Sequence, residues 1–95
     1  MARLTTKLRQ TLERRFRGAQ ADIHDATDVG KIYGFLIWKG FNKLDSLDRH
    51  EMIDETLHRE LSDQELQKIS VIFAYTPREM AIVRENVGDL ASTRN

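Results

Sequence analysis

The chain has 95 residues, 40% hydrophobic and 32% charged, with 15 basic against 15 acidic side chains and no cysteine. That is one domain's length at an ordinary folded composition, and it excludes disulfides, thiol catalysis and Cys-based metal sites. The net charge of zero hides a lopsided spread: residues 1–20 hold six bases against Glu13, and residues 41–66 hold eight acids against three bases.

Leu4, Leu8, Leu12 and Phe16 recur every fourth position and predict a first helix over residues 3–17, stopped by Gly18. Its N-terminal stretch lacks an apolar core, so no secretory leader is expected, and a cytoplasmic location follows. It is Arg-rich and amphipathic, as transit peptides are, but Glu13 and the direct join to strand-like sequence favour a structural helix. Residues 19–25 alternate as a short strand, with Ala19, Ala21 and Ile23 inward and His24 outward; residues 26–31 form a loop in which Gly30 is free to take a positive φ. Residues 32–39 are β-branched and aromatic, apolar on both faces, and predict a central strand covered by helices on at least one face. The widest apolar block, Tyr33–Trp38, is strand-sized, so no membrane span is expected.

After a turn at residues 39–42, Leu47, Ile53, Leu57 and Leu61 mark a helix. Asp48 with Glu51 reads as its capping box, Ser46 as a competing cap, and Arg49 and His50 fall in its first turn. Ser62 and Glu65 form a second capping box, starting a short helix to about Gln67. Residues 68–75 alternate as a third strand. Thr76 caps the last helix, with Pro77 at its first position and Glu79 closing the box; Met80, Val83 and Val87 form its apolar side, Gly88 ends it, and residues 89–95 are expected to be a frayed tail. The order is α-β-β-α-α-β-α. It predicts an α+β domain over residues 1–95, in which an antiparallel hairpin and a parallel third strand make a three-stranded mixed sheet with helices packed on it.

No nucleophile elbow, phosphate loop or HExxH motif is present, so no catalytic residue is assigned and a non-enzymatic role is expected. His24, His50 and His58 are the strongest metal-ligand candidates besides the carboxylates. His50 and His58 share a helix face about two turns apart, too far to clamp one ion, so no metal site is assigned and His24 and His50 stay as weak candidates. The acidic middle helices argue against reading a nucleic-acid groove, whereas the first helix offers Arg9, Arg14, Arg15 and Arg17 to a phosphate backbone or acidic partner.

FNKLDSLDRHEMIDETLHREL resembles the signature of BolA-like proteins: a Phe, a spaced Leu, Arg-His, an apolar pair and an acidic-Leu ending. Phe41, Leu47, Arg49, His50, Met52, Ile53, Leu57, Glu60 and Leu61 match it. SVIFAYTPREM resembles the family's third strand followed by Thr-Pro-x-Glu-Trp, with Met80 in the Trp position. The resemblance implies a class II KH-like fold. It also implies a non-enzymatic regulator or adaptor that partners monothiol glutaredoxins, shares a [2Fe-2S] cluster with them, and in some bacteria binds DNA to regulate stress response and cell shape. Arg49, His50, Asp54 and Lys68 are then the partner-binding candidates, with nucleic-acid binding through the first helix as the alternative. Lys68 stands where the family has its cluster-ligating histidine, the loop at 26–31 has neither Cys nor His, and Glu51 and Asp54 replace the family's Arg and Tyr. The resemblance therefore implies no cofactor held by this chain alone and leaves open a cluster shared with a glutaredoxin.

Overall fold

The computed structural model describes residues 3–26 and 30–93. The four-residue apolar repeat makes helix α1 (Leu4–Arg15), with Leu8, Leu12 and the following Phe16 fully buried. The Phe16 amide donates to the Leu12 carbonyl, and Gly18 at φ 85° turns the chain, a left-handed conformation that suits glycine.

Strands β1 (Gln20–Ala26) and β2 (Lys31–Ile37) pair antiparallel, and β3 (Ile69–Tyr75) joins β2 in parallel, giving the order β1-β2-β3. The mixed sheet is the one expected, with β2 central. Of the connecting loop, residues 27–29 lie outside the described residues, and Gly30 takes φ 64°. Gly34 faces Ile23 across the hairpin; a Cβ there would lie 2.7 Å from both the Asp22 carbonyl oxygen and Ile23 Cδ1.

One face of the sheet carries Ala21, Leu36, Ile72 and Ala74 into the core. The other face is open and aromatic: Phe35 stacks on Phe73 at 5.3 Å, His24 stacks on Tyr33 at 5.2 Å, and Tyr33 and Phe73 remain exposed. The double-sided apolar pattern of β2 thus reflects helices on one side and rings on the other. Trp38 packs edge-on against Phe16 and Phe41, and its indole N–H donates to the Arg17 carbonyl at 2.9 Å.

A 3-10 turn at Lys39–Lys43 leads into α2 (Ser46–Glu60), followed by α3 (Asp63–Gln67) and α4 (Pro77–Thr93). The cap of α2 differs from both residues expected. Asp45 caps it, its carboxylate accepting from the Asp48 amide at 2.9 Å, so Asp48 is the donor in this cap and Ser46 is the first helical residue. Leu47 also differs from expectation: it is 66% exposed. Six residues from Ile53, it falls well round the helix from the buried stripe of Ile53, Leu57 and Leu61. The Ser62–Glu65 box forms, and Glu65 also takes Lys7 at 2.9 Å, tying α3 to α1.

The Thr76–Glu79 box forms in both directions, at 2.8 and 3.1 Å, and Met80 is buried. Helix α4 continues through Gly88 to Thr93, so neither the stop at Gly88 nor a frayed stretch from 89 to 93 holds. A single helical glycine costs only about 1 kcal/mol, and Leu90 and Ala91 beyond it are good helix formers. The Val87 side chain and residues 94–95 lie outside what the structure describes.

Candidate partner groove

Helix α2 crosses the core side of the sheet beside β3, one of its two edge strands. Its buried stripe, Ile53 and Leu57, leaves the neighbouring positions His50, Asp54 and His58, each one turn apart, facing along the same side. Together with Leu66 and the first residues of β3 they wall a groove of about 420 Å³. Asp54 and His58 are exposed and His50 is half-buried. The His58 Nδ1 lies 2.8 Å from the Asp54 carbonyl oxygen. A carbonyl only accepts, so Nδ1 carries the hydrogen, and Nε2 of the neutral ring is left as an acceptor.

Of the partner-binding candidates, His50 and Asp54 line this groove, and Lys68 is exposed where α3 passes into β3. Arg49 is elsewhere. It is buried, and its guanidinium donates to the Leu44 carbonyl at 2.9 Å, the Ala74 carbonyl at 3.1 Å and both oxygens of Glu79. With its donors used internally, Arg49 is a clasp between α2, β3 and α4, not a surface contact. Glu79 is held below the usual carboxylate range by the Arg49 guanidinium and by the Thr76 amide. Glu65 is likewise lowered, by the Ser62 amide and then by Lys7.

His24 is placed apart from His50, on the open face of β1, where it stacks on Tyr33 and lies 3.1 Å from Asp22. Among the described residues no three His, Cys, Asp or Glu side chains are grouped to hold a metal. Arg9, Arg14, Arg15 and Arg17 are all exposed on or just after α1. Arg14 reaches Glu60 at 3.4 Å, and Arg15 lies over the Phe16 ring. No described helix is long and apolar enough to cross a membrane. Sequence reasoning did not find Ser70, Val71 and Leu66 as groove residues; they read only as strand or short-helix positions, and no local motif sets them beside α2.

A mixed three-stranded sheet covered on one face by helices, in the order α-β-β-α-α-β-α, defines the class of fold. Comparison with solved structures then gives its type. BolA1 from Arabidopsis thaliana superposes with a TM-score of 0.63 at 21% identity, over 83% of this chain and 98% of that one. The BolA domain of SufE1 from Arabidopsis thaliana superposes with a TM-score of 0.64 at 18% identity, over the same shares. The fold of this chain is BolA-like. Neither a protein-family model nor a curated protein matches the sequence.

A [2Fe-2S] cluster is held by thiolates or imidazoles. Lys68 offers an ammonium with no lone pair for iron, and no cysteine is available anywhere in the chain. The residue at this position does not fit a cluster.

Proposed function

We propose that this chain is a non-enzymatic BolA-like adaptor that acts through protein contacts at the α2–β3 groove and the adjoining Lys68, with a monothiol glutaredoxin as the partner its fold suggests. The observation that carries this reading is the groove itself: on a BolA-like fold, His50, Asp54 and the start of β3 form one accessible surface of mixed acidic and apolar character. Desolvating its apolar floor supplies affinity, and its charge supplies selectivity. That one structural neighbour is a domain of a larger protein, SufE1, agrees with a fold used alongside partners.

Size-exclusion chromatography of the chain with a monothiol glutaredoxin, apo and cluster-loaded, tests this. Co-elution, with amide shifts at His50, Asp54 and Lys68, is expected. Absence of co-elution in both forms removes the glutaredoxin. With Lys68→His, the visible spectrum of the cluster-loaded mixture should change where the wild type leaves it unaltered.

The exposure of Arg9, Arg14, Arg15 and Arg17 favours one competing reading, nucleic-acid binding through α1. It requires a salt-dependent mobility shift that the double charge reversal Arg14→Glu, Arg15→Glu weakens. No shift at low salt disposes of it.

A further inference from the structure

Strand β3 ends the sheet order, so one of its edges has no strand partner among the described residues. The Trp38 amide donates to the Tyr75 carbonyl, which therefore faces β2. Carbonyls alternate along a strand, so those of Ala74 and Ile72 face outward. Arg49 takes the Ala74 carbonyl and closes that end of the edge. The backbone of Ile72 is left facing the groove between β3 and α2. Four consecutive residues, Ile69 to Ile72, line that groove. The β2–β3 register shifts beside Ile32 and Tyr33, so β3 is irregular at this end, and the groove is bordered by that irregular stretch together with the outward backbone of Ile72.

We propose that this groove takes an extended peptide segment of a partner protein as a fourth strand, with a lysine or arginine of that segment opposite Asp54. The proposal rests on the adaptor reading and supplies the chemistry of the segment. The backbone groups of β3 provide main-chain pairing, Ile53 and Leu57 provide an apolar floor for alternate side chains, and α2 provides the second wall. A groove of about 420 Å³ holds a few side chains. The charge selects the occupant. Asp54 is the carboxylate that lines the groove, with Glu51 and Glu55 exposed elsewhere on the same helix, and Lys68 adjoins the start of β3, so the basic residue of the segment is placed opposite Asp54 and away from Lys68. A second copy of this chain would bring its own Asp54-bearing helix to the seam, acid against acid.

A positional-scanning library of acetylated heptapeptides, screened against the full chain, tests this. Enrichment of one basic position flanked by β-branched residues is expected, with amide shifts confined to Ile69–Ile72 and His50–His58. Methylating the peptide amides that face β3 should weaken binding at least tenfold. Asp54→Lys, at an exposed position, should cost about tenfold for the basic peptide and turn the preference to an acidic one. No enrichment, indifference to amide methylation, or stronger shifts of the same resonances by an oligothymidylate overturns the proposal. A glutaredoxin that shifts the His50, Asp54 and Lys68 resonances while no peptide is enriched also overturns it and leaves the adaptor reading standing. Loss of glutaredoxin binding with peptide capture intact does the reverse.

Discussion

Arg49 and Glu79 meet fork to fork: Nη1 lies 2.6 Å from Oε1 and Nη2 lies 3.3 Å from Oε2. The arginine end of the pair is nearly enclosed and the glutamate end is 42% exposed. Removing the arginine leaves the Leu44 and Ala74 carbonyls without their donor as well as freeing Glu79. Arg49→Ala should therefore destabilise by about 2–4 kcal/mol in urea melts. Arg49→Lys should recover little of this, because one ammonium cannot span a carboxylate and two carbonyls in a fixed plane. A lysine variant within about 0.5 kcal/mol of wild type would show that charge alone matters.

The same pair sets an acid limb. Glu79 is lowered in the folded state from its ordinary value of 4.5, first by Arg49 and then by the Thr76 amide. A depressed carboxylate contributes stability above its unfolded value and loses it as the pH falls through the folded one. Stability should thus hold down to about pH 5 and decline below 4.5, with Glu65, also lowered, adding to the same decline. Glu79→Gln should flatten part of this limb in pH-dependent thermal melts. An unchanged slope would exclude Glu79 as its source.

The start of α2 offers a paired test. Asp45→Ala removes the carboxylate that caps the Asp48 amide and should cost about 1 kcal/mol. Asp48→Ala removes only a first-turn charge near the helix N-terminus and should cost about a third of that. Equal losses in denaturant melts would contradict the cap.

Gly34 sits where two strands approach closely. In Gly34→Ala the added methyl meets the Asp22 carbonyl and Ile23 Cδ1, and the backbone oxygen cannot step aside as a side chain can. The expected loss is about 1–3 kcal/mol, read from thermal denaturation. Gly34→Ala combined with Ile23→Val should recover part of it, since it trims one of the two obstructing groups.

Two capping boxes were legible in the chain because each is written within four residues: Ser62 with Glu65 and Thr76 with Glu79. The cap of α2 was not, because Asp45, Ser46 and Asp48 are all chemically fit for it and only the backbone's entry angle decides. Arg49 read as part of a motif, and its placement at the turn-to-helix junction was evident. Its main partners, Ala74 and Glu79, lie 25 and 30 residues away, and no local spacing announces them. The groove is hidden for the same reason: His50 and Asp54 are visible on α2, but their opposite wall is a strand that only the tertiary fold brings alongside. The stop expected at Gly88 relied on a residue preference too weak to overrule its helix-forming neighbours.

The sheet joins two pairings of different reach. β1 and β2 lie side by side in sequence and can zip within a short loop, whereas the Ile32–Lys68 hydrogen bond waits on a crossover that includes α2 and α3. The closure entropy of that crossover is met before β3 docks. Of the two pairings, β2–β3 therefore carries the larger loop-closure cost, and the edge that borders the groove exists only where the helical crossover has closed.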